Sequence, residues 1–170
     1  MGLSMKEAQE LVATLVNRGE TVATAESCTG GLVAAAITDV AGASACYPGG
    51  VVSYANEVKR RELGVPAEIL ETRGAVSEEC AAAMAAGVRE RFGTTWSVVT
   101  TGIAGPGGGT AEKPVGLVYI GVAGPDGVAV SRNQFPGDRA AVRAATVRRA
   151  LGMLLNRIPS NCPTVKPPNQ

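Results

Sequence analysis

Helical and β-type runs alternate along this chain and close on a hairpin signal, and that order restricts the fold more than any other feature. Residues 4–18 read as a helix whose apolar stripe is Leu11, Val12, Leu15 and Val16. Ser4 and Glu7 are placed to form a capping box, and Gly19 stops the helix. Residues 21–25 form a short β run, and 32–40 a small apolar helix ending before Gly42. Residues 49–55 read as a strand, 56–63 as a helix stopped by Gly64, and Pro66 opens another short turn. Ser77 caps a helix from 78 to about 91, with Glu78 and Glu79 in the first turn, where the dipole favours anions. A β run over 95–101, a glycine-rich loop over 102–113 and two strands over 115–122 and 128–135 follow. The two strands are joined by Gly124-Pro125-Asp126-Gly127. The last helix begins after Asp138. Its stripe of Val147, Leu151, Leu154, Leu155 and Ile158 extends back through Arg143 to Arg139. The expected fold is a single three-layer α/β/α domain with a mixed central sheet, over residues 1–158, with a mobile Pro-rich tail over 159–170.

Composition narrows the chemistry. The chain has 170 residues and no histidine, which removes Ser-His-Asp and Cys-His catalysis and any His-bearing zinc site. Proton transfer near neutral pH then falls to Lys, Tyr, Asp, Glu or Cys. A formal charge of +1 and 4% aromatic residues disfavour a nucleic-acid surface. Cys28, Cys46, Cys80 and Cys162 form no C-x-x-C pair, so no metal is expected. With no signal peptide and no long apolar stretch, free thiols in a cytoplasmic protein away from membranes are the simplest expectation.

Three segments carry candidate chemistry. Glu26-Ser27-Cys28-Thr29-Gly30-Gly31 lies where a strand hands over to a helix, which offers free N–H groups and a positive dipole. Ser27 could be a nucleophile there; equally, Ser27 or Thr29 could be an N-cap and the glycines only a tight turn. Tyr54 and Lys59 straddle a strand-to-helix junction that can aim both into one cleft. Lysine is a base only if burial or nearby positive charge, such as Arg60 and Arg61, lowers its pKa. A solvated helix face is the plainer reading of the same cluster. The loop containing Gly102, Ala104 and Gly105 has N–H groups that could cradle an anion or oxyanion, although it matches neither a Walker loop nor G-x-G-x-x-G. These segments suit a small anionic ligand such as a nucleotide.

Taken together, the segments resemble the CinA C-terminal domain family, whose active members are nicotinamide-nucleotide amidases. The resemblance is carried by residues 24–31 (Thr-Ala-Glu-Ser-Cys-Thr-Gly-Gly), 37–44, 53–59, 74–77, 101–106, 112–116 and Gly137-Asp138-Arg139. It runs in family order from about residue 5 to 157. It implies metal-free and cofactor-free hydrolysis of the carboxamide of nicotinamide mononucleotide. Ser27 would be the nucleophile, Lys59 its base, and Tyr54 would orient or relay the proton. Ser44 would join the same polar cluster. Arg139, with Arg143 a weaker candidate, would hold the substrate phosphate. Glu26, Cys28, Thr29, Gly30, Gly31, Gly102, Ala104 and Gly105 would line the substrate, and the Thr29-Gly30-Gly31 turn or the 102–109 loop would bind the oxyanion. The resemblance also implies a homo-oligomer. Some family members carry an N-terminal molybdopterin-binding-like domain; the resemblance here begins at the amidase-like domain, so that other activity is expected to be absent. The rival expectations are a nucleotide-binding module without turnover and a competence- or damage-response interaction protein.

Overall fold

In a computed structural model, residues 2–160 are described, with the side chains of 2–4 excepted; most of the expected Pro-rich tail lies outside the described residues. A five-stranded sheet has the order β2-β1-β3-β4-β5. Its strands are β1 (Val22–Glu26), β2 (Gly49–Val52), β3 (Trp96–Gly102), β4 (Leu117–Gly124) and β5 (Gly127–Gln134). β1 is parallel to β2 and β3, whereas β4 and β5 are antiparallel additions, so the sheet is mixed. The helices are α1 (Gly2–Arg18), α2 (Leu32–Thr38), α3 (Asn56–Leu63), α4 (Ala67–Thr72), α5 (Glu78–Phe92) and α6 (Arg139–Arg157). A short 3-10 turn, Ala43–Ala45, precedes β2.

Alternation along the strands builds two cores. Val22, Val98, Ile120 and Val122 face α1, α2 and α6, packing on Leu11, Leu15, Val33, Ile37, Leu151 and Leu154. Ala23, Ala25, Val99 and Ala123 face the other way, onto Leu63, Cys80, Met84 and Val88 of α3 and α5. The small residues on that second face let α5 lie close. Gly87 allows the end of α3 to lie against α5, because a Cβ there would overlap the backbone carbonyl of Leu63. Each large apolar side chain so buried contributes about 1.5–3 kcal/mol.

Local chemistry sets the boundaries. α3 spans the expected residues and ends on Gly64, at φ 66°. Ser77 caps α5 by accepting from the Cys80 amide, and Asp138 caps α6 by accepting from the Ala141 amide. One expectation fails: α1 begins at Gly2, so Ser4 lies inside the helix and does not cap it. The good helix formers Leu3 and Met5 on either side of Ser4 carry the helix past it.

From β1 the chain moves to β2 on one side and then returns to β3 on the other. The C-terminal ends of β1 and β3 therefore flank a topological switch point, where α/β sheets open a crevice.

Candidate functional site

The crevice is built from strand register. Glu26 pairs with Val52 on one side and Thr100 on the other. One residue further along, Ser53, Ser27 and Thr101 come into line across three strand ends. All three are buried, on the α3–α5 face. The Ser53 amide donates to the Glu26 carbonyl and the Ser27 amide to the Thr100 carbonyl, which holds the line in place.

Lys59 comes down onto this line from α3. It is 1% exposed and is the largest fully buried side chain in the described residues. Its Nζ lies 3.1 Å from Ser27 Oγ and 2.6 Å from the Ser53 carbonyl oxygen, with the Tyr54 carbonyl at 3.5 Å. No carboxylate pairs with it among the described residues. Burial is the largest influence and pushes its pKa below the ordinary lysine value, against a weaker upward pull from Cys80 and Cys28. The neighbouring arginines are not the cause: Arg60 pairs with Glu57 and Arg61 with Glu62, both at the surface. A neutral lysine keeps two N–H bonds, which the Ser53 and Tyr54 carbonyls can accept, and presents a lone pair that can accept the Ser27 O–H.

Glu26 has a different task. It is 1% exposed. Its carboxylate accepts from the Thr29 hydroxyl at 2.5 Å and from the amides of Gly31, Val33 and Ala34 at 3.1, 3.0 and 2.8 Å. It therefore satisfies the open N-terminus of α2 in place of an ordinary N-cap, because Gly31 supplies no side chain. Thr29 completes the network through Thr100, at 2.8 Å between hydroxyl oxygens.

The cavity over the line has a volume of about 280 Å³. Ser27, Cys28, Tyr54, Lys59, Gly102, Ala104, Gly105 and Arg139 line it, together with Thr101 and Ile103. Arg139 donates to the Gly105 carbonyl at 2.9 Å and to the Tyr54 hydroxyl at 3.3 Å, bridging the two rims. The Tyr54 hydroxyl reaches neither Lys59 nor Ser27, and the residue is 63% exposed. Burial, the largest influence, raises the Cys28 thiol to about 11, so it is a thiol rather than a rival thiolate at neutral pH.

Four expected lining residues stand outside the cavity: Glu26, Thr29, Gly30 and Gly31 form the turn and cap behind Ser27. The Gly30 amide donates to Ser27 O and the Gly31 amide to Glu26, so neither is available to an oxyanion. The amides of Cys28 and Ala104, both cavity residues, donate to no backbone or side-chain oxygen among the described residues. Arg143 borders an adjoining hollow and directs its guanidinium to the Cys28 and Thr29 carbonyls. Ser44 is exposed on the 3-10 turn before β2, at the opposite end of the sheet from Ser27. Ser53 and Thr101 open two of the sequence blocks but were given no place in the site; strand register brings them into line with Ser27.

Fold and site together define a three-layer α/β domain with a buried serine–lysine pair at the switch point of a mixed sheet. Residues 4–158 match the model of the CinA C-terminal domain. A CinA-like protein of Parasynechococcus marenigrum (strain WH8102) is 53% identical over 154 residues, covering 89% of this chain and 36% of the relative. A putative competence-damage inducible protein of Desulforudis audaxviator (strain MP104C) is 52% identical over 146 residues, or 84% of this chain and 35% of the relative. The chain thus spans about a third of the length of these relatives. Among solved structures, the competence/damage inducible protein CihA from Agrobacterium tumefaciens superposes with a TM-score of 0.89 at 45% identity, covering 92% of this chain and 98% of that one. This chain belongs to the CinA C-terminal domain family. Among the described residues no helix is long and apolar enough to cross a membrane.

Proposed function

We propose that this domain is an amidohydrolase that releases ammonia from the carboxamide of nicotinamide mononucleotide, with Ser27 as nucleophile and Lys59 as base. The observation that carries the reading is the 3.1 Å approach of a buried, carboxylate-free lysine to a serine hydroxyl. A serine cannot attack an amide without an adjacent base, and this chain has no histidine to serve.

Neutral Lys59 takes the Ser27 proton as Oγ attacks the carboxamide carbon. The C=O electron pair moves to oxygen, and that oxyanion is assigned to the amides of the cavity residues Cys28 and Ala104. As the intermediate collapses, the C–N bond breaks and the Lys59 ammonium returns the proton to the leaving nitrogen, which departs as ammonia. The acyl ester on Ser27 is then attacked by water, again with Lys59 as base. Nicotinate mononucleotide is released and the Ser27 hydroxyl is restored. Ile103 and Ala104 offer apolar wall to the ring, while Arg139 supplies a guanidinium suited to a phosphate. Tyr54 serves at that anionic end through its bond to Arg139 rather than as a proton relay. A small-molecule nucleotide is thus the partner proposed, with neither nucleic acid nor membrane needed; self-association in a cytoplasmic setting belongs to the same reading.

The test is ammonia release from nicotinamide mononucleotide by the purified chain, with and without a chelator. Chelator-resistant release, matched by nicotinate mononucleotide, supports the reading. Binding without release would favour a nucleotide-binding module.

A further inference from the structure

Arg143 holds the turn that carries the nucleophile. The Gly30 amide donates to the Ser27 carbonyl at 3.1 Å, closing a β-turn with Cys28 and Thr29 at its centre. Such a turn has two forms related by a flip of the central peptide, and the flipped form needs a positive φ at its third residue. Thr29 occupies that place, and no residue other than glycine has a positive φ. The flip is thus disfavoured by Thr29 itself, and Arg143 opposes it again from α6. Its Nε donates to the Cys28 carbonyl at 3.2 Å and its Nη2 to the Thr29 carbonyl at 3.0 Å.

A trans peptide points its C=O and N–H in opposite directions. The Gly30–Ser27 bond turns the Ser27 carbonyl into the turn, and so aims the Cys28 amide out of it, where Cys28 lines the cavity. Arg143 holds the next two peptides, whose N–H groups belong to Thr29 and Gly30; it is the side chain on the Cys28 carbonyl and shares the Thr29 carbonyl with the Leu32 amide at 3.2 Å. Three consecutive peptides are thereby oriented, two of them by one guanidinium anchored 115 and 114 residues away in sequence. Its positive charge also polarises the chain of amides it touches. Glycine at 30 is called for by the backbone, at φ 59°, and not by space, since a Cβ there would meet Arg143 Nη2 at an ordinary contact distance of 3.7 Å.

We infer that Arg143 is a positioning residue for the Ser27–Gly30 turn: by bracing the two peptides that follow Cys28 it supports the Gly30–Ser27 bond, which in turn aims the Cys28 amide into the cavity, and it does not bind the substrate. This rests on the amidase reading above. It predicts that losing Arg143 lowers turnover and leaves substrate affinity alone.

The test compares Arg143→Gln, Arg143→Ala and Arg143→Lys in the full chain by steady-state kinetics on nicotinamide mononucleotide. Hydrogen exchange of the segment 22–31 is followed in parallel. Misplacing a catalytic group costs about a hundredfold, so kcat of Arg143→Gln should fall by about that factor with KM unchanged. Lysine, which can reach one carbonyl but not both, should restore part of the loss. Added guanidinium at millimolar concentration should raise kcat of Arg143→Ala. Exchange in 22–31 should quicken in Arg143→Gln while the rest of the chain keeps its protection. Unchanged kcat, or a loss confined to KM, overturns the inference; the latter would make Arg143 a substrate ligand. Should the wild type release no ammonia at all, the amidase reading fails. Unaltered exchange in 22–31 would then overturn the positioning role as well, and quickened exchange would sustain it.

Discussion

Lys59 Nζ lies 3.1 Å from Ser27 Oγ with no carboxylate among the described residues to hold it there; the Ser53 carbonyl at 2.6 Å is its closest partner. The lysine is therefore oriented by backbone, which accepts from an amine as well as from an ammonium. Removing either partner should stop the reaction without dismantling the domain. Ser27→Ala should lower kcat by about a thousandfold or more while substrate still binds. Lys59→Met should do the same and raise the unfolding midpoint, because an apolar side chain replaces a buried amine whose desolvation no carboxylate among the described residues offsets. Turnover near wild type in Ser27→Ala would refute the nucleophile assignment.

The pH dependence has a definite sign. Burial lowers the Lys59 pKa, and only the neutral amine accepts a proton, so kcat/KM should rise with pH along a limb set below the ordinary lysine range. Stability follows the same group. Between the folded value and the ordinary 10.5, the unfolded chain binds more protons than the native one, so this contribution grows as pH rises. Cys28 acts oppositely between its ordinary 9.0 and about 11, where the native chain holds the extra proton. The stability difference between wild type and Lys59→Met isolates the lysine. It should shift in favour of wild type between pH 7 and pH 10, measured by urea unfolding; a constant difference would mean Lys59 titrates alike in both states.

How much of this was legible in the sequence depended on the reach of each interaction. α3 lies over the expected residues because its stop, Gly64, is local. The α/β layering and the late hairpin followed from the order of periodic runs, and Ser27, Tyr54 and Lys59 followed from motifs at strand ends. The role of Glu26 was not legible. The donors it serves would normally be an N-cap's business, yet these amides lie five to eight residues ahead, around a turn whose direction only the packed sheet sets. Arg143 was read on the inward stripe of α6, but its partners lie across the fold. Ser53 and Thr101 needed the register of β2, β1 and β3, which a single chain's pattern does not contain.

Glu26→Ala should be among the most destabilising changes in the chain. It strips α2 of an acceptor for three amides and the Thr29 hydroxyl. Leaving such groups buried and unpaired should cost about 3 kcal/mol. Glu26→Gln keeps the shape but turns an NH2 toward donors, so it should also lose stability, though less. Urea midpoints decide the matter: unchanged values in both variants would show that α2 does not depend on this carboxylate.

Arg139→Ala should act on affinity. A charge-assisted bond to a phosphate is worth about 1.5–3 kcal/mol, so KM for nicotinamide mononucleotide should rise roughly ten- to a hundredfold with kcat little altered. The riboside, which lacks the phosphate, should show no such penalty between wild type and variant. Equal penalties on both substrates would move the phosphate elsewhere.

Gly87→Ala tests how the fold holds Lys59 in place, from a distance. The new Cβ would overlap the Leu63 carbonyl at the end of α3, one helical turn beyond Lys59. Backbone cannot rotate away as a side chain can, so α3 must lift from α5 and carry Lys59 with it. Overpacking of this kind costs about 1–3 kcal/mol, and a displaced base should lower kcat about tenfold or more. Gly152→Ala is the matched control: it also lies mid-helix, in α6, but nothing lies within 4 Å of a Cβ there. That variant should gain about 0.5–1 kcal/mol from helix propensity and keep full activity. If Gly87→Ala kept wild-type kcat while Gly152→Ala behaved as expected, the Lys59 position would be set by its own carbonyl partners and not by the seat of α3 on α5.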